Sequence, residues 1–368
     1  MQHGTLPAGA FRAAAVLATV VVALLVGCSN TPDEPETKTE LLLGTTVTVR
    51  IYEGAEDRIF ERVFERVKEI EERMSTDEED YDNTELLEVN RNAGGRPVRV
   101  SEDTFHVVER ALEYSRLSEG AFDVSIGPLV KLWGIGTERA GVPEQEKIEE
   151  ILPRVDYSLV ELDPEEQTIR LPDEGMALDV GAIAKGYAAD EAARILTEAG
   201  VEHALLDFGG NIITVGHKPD GSPWKIGIQN PLEERGRFLG IVENGPMTVV
   251  TSGDYERNFE ENDVRYHHII DGDTGKPART GLSSVTILTE DSTEADALST
   301  ALYVMGVERG AALAEELDGI EAAFVTKDRK VYMTRGMSEH FEITNEGFEV
   351  VDLEEAIAAA AEHRRRRR

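Results

Sequence analysis

At 368 residues the chain is long enough for one large domain or two medium ones with a sizeable buried core. Acidic residues outnumber basic ones by 72 to 38, and a formal charge of −34 argues against nucleic acid as a partner, since phosphate backbones demand a basic face. So large a charge also suggests a salt-tolerant host, where screening suppresses self-repulsion, and a single cysteine excludes disulfides and thiolate metal sites.

Arg12 leads an apolar run over 13–26, followed by Gly27-Cys28-Ser29-Asn30. The run is too short to span a bilayer and reads as a secretory signal over 1–27. Leu25-Val26-Gly27-Cys28 resembles the bacterial lipoprotein cleavage box. Cys28 is then a lipidated first residue that anchors an extracytoplasmic protein to a membrane. Residues 28–40, rich in Pro, Glu and Thr, read as a flexible tether. The main domain is expected over 41–350, and a helix with a basic tail over 351–368.

Thr46-Val47-Thr48-Val49-Arg50-Ile51 alternates, so 41–51 carries a strand. Ile59, Val63, Val67, Ile70 and Met74 recur at helical spacing and predict an amphipathic helix over 57–74. An acidic loop over 75–81 and a short helix over 84–90 follow. An extended piece at 97–100 then leads to Ser101-Glu102-Asp103, which caps a helix reaching Leu117. Residues 120–123 and 127–129 read as irregular backbone, and 142–152 as an acidic helix. Two short strands over 155–171 flank the turn Asp163-Pro164.

Ala177-Leu178-Asp179 reads as a strand end, Val180 to Gly186 as a tight turn, and the periodic residues from Tyr187 to Gly200 as a helix. Lys185 lies between Gly181 and Gly186. Such a turn aims free amides and one cation at its ligand, which suits a phosphate. It is neither a P-loop nor a dinucleotide fingerprint, because the glycine and lysine spacings differ. A plain strand–helix connection with a solvated lysine fits the stretch as well.

Strands are expected over 204–215 around Gly209-Gly210, over 224–228, and over 237–250 as an Asn244-Gly245 hairpin. Further strands fall at 266–270, 284–288, 322–326 and 331–334, with a helix over 293–305 and another over 353–361. Helices and strands mix without βαβ alternation. The fold class is therefore α+β, with mixed or antiparallel sheets and packed helices.

Asp296 and Thr300 stand at i and i+4, on one helix face. A carboxylate and a hydroxyl, with backbone carbonyls, suit a hard cation such as Mg²⁺, but Thr293-x-x-Asp296 equally fits a capping box. Thr251-Ser252-Gly253 sets hydroxyls beside a glycine, as for an anionic ligand or an ST-turn. His267 and His268 are adjacent in a strand, so at most one faces a site.

In order along the chain, Ala121-Phe122-Asp123, Leu132-Trp133-Gly134, Asp179-Val180-Gly181-Ala182-Ile183-Ala184-Lys185-Gly186-Tyr187, Asp207-Phe208-Gly209-Gly210-Asn211, Thr251-Ser252-Gly253-Asp254-Tyr255, His267-His268-Ile269-Ile270-Asp271 and Asp296-Ala297-Leu298-Ser299-Thr300 resemble the FAD:protein FMN transferase family (ApbE). The resemblance covers about 41–340. It implies Mg²⁺-dependent transfer of FMN from FAD to a Thr or Ser hydroxyl of an acceptor flavoprotein in a membrane electron-transfer complex, with release of AMP. By the same resemblance, Mg²⁺ takes the Ala182 and Ser299 carbonyls and the side chains of Asp296 and Thr300. Leu43, Ala121, Phe122, Asp123, Asp179, Lys185, Thr251, Ser252, Gly253 and Ile270 contact FAD, with Lys185 at the pyrophosphate. His268, Asp123 and Lys185 are the catalytic candidates, His268 as the base for the incoming hydroxyl.

Two departures stand out. Leu43-Gly44-Thr45 replaces a common Met-Gly-Thr, and Asp77 follows Met74-Ser75-Thr76 where relatives often carry an aromatic ring, a place Tyr81 could take. The alternatives are an FAD pyrophosphatase that admits water to the same site and a flavin-binding carrier.

Overall fold

The computed structural model describes residues 34–353 apart from residue 79. Cys28, the signal over 1–27, the terminal arginines and the expected helix beyond Leu353 lie outside the described residues. None of the described helices is long and apolar enough to cross a membrane.

The helices in chain order are α1 (Asp57–Met74), α2 (Glu85–Arg91), α3 (Glu102–Leu117), α4 (Gly127–Trp133), α5 (Gln145–Ile151), α6 (Ala184–Glu198), α7 (Ser292–Glu316) and α8 (Met337–His340). The central sheet has nine described strands, in spatial order Glu36–Leu42, Thr45–Ile51, Ala204–Phe208, Asn211–Val215, Thr248–Gly253, Leu282–Thr289, Glu321–Thr326, Lys330–Met333 and Glu349–Val351. Neighbours are antiparallel except the last pair, which is parallel. The sheet is thus mixed, and the α+β expectation is met.

Helices α1, α6 and α7 cover one face of this sheet. α1 buries Ile59, Phe60, Val63, Phe64, Val67, Ile70 and Met74, the stripe its periodicity predicts. Each such side chain contributes about 1.5–3 kcal/mol by leaving water. A three-stranded sheet, Trp224–Gln229, Phe238–Asn244 and Phe341–Ile343, covers the opposite face through Trp224, Ile226, Ile228, Leu239 and Val242. Leu282–Thr289, lying between the two layers, is buried at all eight positions. A smaller cluster of Leu129, Trp133, Ile148 and Ile270 ties α4 and α5 to the 270–276 turn, where the Trp133 indole donates to the Gly275 carbonyl at 2.9 Å.

Several expectations need correction. The tether does not run to residue 40, because Glu36–Leu42 pairs along its full length with Thr45–Ile51. Its exposed, polar composition is that of an edge strand, which needs only backbone pairing. Residues 127–129 are the start of α4 rather than irregular, with Pro128 in the first turn, where its missing N–H costs nothing. Ala177–Asp179 is extended but makes a single bridge, Ile126 to Ala177, instead of a strand.

The Asn244-Gly245 hairpin does not form. Phe238–Asn244 pairs within the three-stranded sheet and Thr248–Gly253 within the central one, so the link between them changes layer. The stretch over 266–270 is interrupted at His268 and Ile269, between Val264–His267 and Ile270–Asp271. α7 continues past Met305 and bends at Gly306 (φ 75°, ψ 176°) before ending at Glu316.

Candidate active site

The Val180 carbonyl accepts from the amides of Ile183 (3.0 Å) and Ala184 (2.8 Å), closing the tight turn from which α6 departs. Asp179 Oδ1 accepts from the Gly181 amide at 2.8 Å, stiffening the turn's first corner. The 124–127 segment runs alongside, with the Asp179 amide donating to the Val124 carbonyl (2.9 Å) and the Gly127 amide to that of Ala177 (3.2 Å). The blocks at 121–123 and 179–187, distant in sequence, thereby meet.

At the head of α6, Lys185 Nζ lies 3.1 and 3.2 Å from the two carboxylate oxygens of Asp296 and 3.2 Å from the Gly181 carbonyl. The Gly186 amide also donates to Asp296 Oδ2, at 3.1 Å. The Asp296 side chain is 4% exposed and that of Lys185 22% exposed. The carboxylate is therefore charge-paired where burial would otherwise penalise it. Asp296 does not cap α7, since Asp291 does, accepting from the Glu294 amide at 2.8 Å.

The next turn of α7 adds hydroxyls. Ser299 Oγ donates to the Asp296 carbonyl at 2.9 Å, which uses its one proton. Ser252 Oγ, 2.7 Å away, must then donate to Ser299, and it lies 3.4 Å from the Thr300 hydroxyl. Among the described residues no three His, Cys, Asp or Glu side chains converge as a metal cluster. The oxygens on offer are one carboxylate, several hydroxyls and the carbonyls of the 181–182 turn and α7. Such all-oxygen chemistry fits a hard divalent cation.

His268 is half-buried, and its Nδ1 lies 3.2 Å from the Arg257 carbonyl. A carbonyl only accepts, so Nδ1 carries the proton and Nε2 the lone pair. Burial, then the Arg257 charge, pushes this imidazole down to about 3, and Lys185 adds to the effect. His267, by contrast, is buried with Nε2 on the Ala278 carbonyl at 2.9 Å, so only one of the two histidines serves the site. Asp123 Oδ1 accepts from both the amide and the hydroxyl of Ser125 at 2.7 Å, and Oδ2 from the Tyr157 amide at 3.3 Å. Burial raises its pKa, and its bonds mark it as the organiser of the 121–127 loop.

The remaining candidates divide. Ser252 joins the α7 hydroxyls, whereas the Thr251 hydroxyl pairs with Thr286 at 2.9 Å on the other face of the strand. At Gly253 an added Cβ would lie 2.3 Å from a Tyr255 ring atom, so the glycine leaves room for that ring. Phe122 and Ile270 are 4% and 8% exposed, so their side chains are core and only their backbone can touch a ligand. Ala121 and Ala182 are partly buried at the surface of the same region. Leu43 occupies the left-handed turn (φ 54°) between the first two strands, its amide held by Glu71, to which Tyr81 also bonds. Thr76 reaches Asp179 Oδ2 at 3.5 Å, bringing the 74–76 segment to the site.

Sequence reasoning missed the residues that hold α6 in place. Tyr187 donates to Asp103 at 2.6 Å. Arg66 bonds Asp103 and Glu191, tying α1, α3 and α6 together. Burial works against the Asp103 carboxylate, yet Arg66, Tyr187 and Arg73 bring its pKa below the ordinary value. Asp190, pushed up to about 6 by burial, accepts from the first turn of α7. The one available signal was its i+4 spacing from Gly186, which puts both on the helix face that α7 meets.

The model of the ApbE family matches residues 43–324. The chain is similar to an FAD:protein FMN transferase of Treponema pallidum, 38% identical, covering 84% of this chain and 90% of that protein. It is also similar to one of Klebsiella pneumoniae, 35% identical, covering 85% and 96%. Among solved structures, the ApbE protein of Thermotoga maritima superposes with a TM-score of 0.76 at 32% identity, covering 83% of this chain and 99% of that one. The flavin transferase ApbE of Vibrio cholerae gives 0.74 at 32% identity, covering 83% and 99%. The matched span contains the α6 turn, the Ser252 strand, His268 and the head of α7, and the chain belongs to the ApbE family.

Proposed function

We propose that this chain moves FMN from FAD onto a Thr or Ser hydroxyl of an acceptor flavoprotein, releasing AMP. The observation that carries the reading is the junction of Lys185, Gly186 and Asp296, with His268 near enough for the Lys185 charge to act on it. The acceptor oxygen bonds to the phosphorus on the flavin side of the pyrophosphate, and the bond to the AMP oxygen breaks. In this reading the hydroxyl proton passes to Nε2 of His268, the ring nitrogen left without a proton by the Nδ1 bond to the Arg257 carbonyl. Lys185 lies where it can offset the pyrophosphate charge. Asp123 orients the loop that pairs with Asp179, and the 74–76 segment closes the same side. The chain supplies no nucleophile of its own, because the acceptor brings it, so catalysis rests on positioning and charge.

Asp296, Thr300 and the carbonyls of Ala182 and Ser299 would hold Mg²⁺. When bound, that ion neutralises charge on the phosphates. As part of the same proposal, Cys28 carries a lipid that anchors the protein outside the cytoplasm, near a membrane electron-transfer acceptor. The test incubates the protein with FAD, Mg²⁺ and a flavin-acceptor domain and reads intact mass. An acceptor heavier by one FMN, with the gain lost in EDTA, is expected. Free FMN and AMP beside an unmodified acceptor would instead make the chain a pyrophosphatase.

A further inference from the structure

We propose that Asp190 is a positioning residue that sets the register of α7 against α6 and so delivers Asp296 to the site. The inference rests on the reading of Asp296 given above. Asp190 Oδ1 accepts from the Ser292 amide at 2.9 Å, and Oδ2 accepts from the amide (2.8 Å) and hydroxyl (2.6 Å) of Thr293. First-turn amides have no partner within their own helix. Here a carboxylate from a different helix takes two of them. Asp291 already caps α7 through the Glu294 amide, so Asp190 is not needed to start that helix. What it adds is attachment to α6.

A second contact makes the attachment specific. One turn before Asp190, Gly186 lets the Ser292 carbonyl approach so closely that a Cβ would lie 2.1 Å from its oxygen. The backbone contact at 186 and the carboxylate clasp at 190 together fix both the height and the rotation of α7. Asp296 follows Ser292 by four residues and shares its face. Its carboxylate therefore arrives at the Gly186 amide and Lys185 Nζ. Deeper in α7, Leu298, Ala301, Leu302 and Tyr303 are fully buried, so the helix stays in the core when the clasp is cut. Its first turn then keeps the Gly186 contact and the Asp296 bonds but loses the clasp that fixes its register.

The experiment titrates Mg²⁺ into the FAD-bound protein by calorimetry and, in parallel, measures the Mg²⁺ concentration for half-maximal FMN transfer and the melting temperature. Asp190→Ala is expected to weaken Mg²⁺ binding about 10- to 100-fold, the usual effect of removing a group that orients a ligand. Asp190→Asn, which keeps one acceptor oxygen, should fall between Asp190→Ala and wild type. It also carries the test if the alanine variant fails to fold. Asp291→Ala, which removes the cap of the same helix, should lower the melting temperature while shifting Mg²⁺ affinity less than about threefold. Wild-type affinity in Asp190→Ala, or equal weakening by Asp291→Ala at equal loss of melting temperature, overturns the proposal. A wild type that binds Mg²⁺ but transfers nothing sinks the transferase reading alone, while calorimetry still decides on Asp190. A wild type without Mg²⁺ binding sinks both.

Discussion

Replacing Gly186 with alanine sets two effects of opposite sign against each other. In a helix interior alanine is favoured over glycine by about 1 kcal/mol. The added methyl, however, would lie 2.1 Å from the Ser292 oxygen, 2.6 Å from its carbon and 2.8 Å from Thr293 Cα. These are backbone atoms and cannot swing aside. Since real Cβ atoms essentially never come within 3.0 Å of another heavy atom, α6 and α7 must part locally by about 0.9 Å. Overpacking of this kind costs about 1–3 kcal/mol, so the balance is a net loss of up to about 2 kcal/mol. For a domain of this size, with about 2.1 cal/mol/K of unfolding entropy per residue, that lowers the melting temperature by up to about 3 °C. The same displacement stretches the Gly186–Asp296 bond and the Asp190 clasp, and a misplacement near 1 Å costs about 10²-fold in rate. Melting followed by circular dichroism and transfer followed by intact mass, on one preparation, give both numbers. A melting temperature that rises, with transfer undiminished, would refute the reasoning.

Asp296→Asn keeps an acceptor for the Gly186 amide but loses the charge. Transfer should fall by about two orders of magnitude or more while the fold persists, because a cation's electrostatic contribution is worth several kcal/mol and each 1.4 kcal/mol is tenfold. An undiminished rate in Mg²⁺ would remove Asp296 from the site. Because His268 is held down to about 3, it stays neutral from pH 5 to 8, and the transfer rate should carry no inflection near 6.5 from this residue. An inflection there that disappears in His268→Gln would contradict the assignment. On stability the sign is set by the same shift. The unfolded imidazole takes a proton near 6.5 that the folded one refuses, so this residue's contribution falls as the pH drops from 6.5 towards 3. Finally, with a formal charge of −34, the melting temperature should rise between low and molar salt, and a flat response would count against self-repulsion as the cost being screened.

Local regularities were readable without coordinates. The 3.6-residue stripe of α1 and the cap at Ser101 depend on residues close in the chain and fold as their patterns predict, whereas α6 begins at Ala184, so Lys185 and Gly186 lie in its first turn rather than in the turn before it. The i, i+4 pair of Asp296 and Thr300 was visible too, but whether it capped a helix or faced a ligand was not. That answer came from Lys185 and Gly186, more than a hundred residues away. Glu36–Leu42 read as a tether because an edge strand with little burial leaves no hydrophobic alternation. The Asn244-Gly245 hairpin was misread because a turn signal says nothing about which sheet each arm joins. By itself the sequence determined the amphipathic helices such as α1 and α3 and, through its ordered motifs, the family. Only the tertiary structure decided that Asp190 clasps α7, that Thr251 and Ser252 part company, and that His268 turns Nδ1 to the Arg257 carbonyl. Those outcomes depend on burial and on partners brought together from distant parts of the chain, which no local spacing encodes.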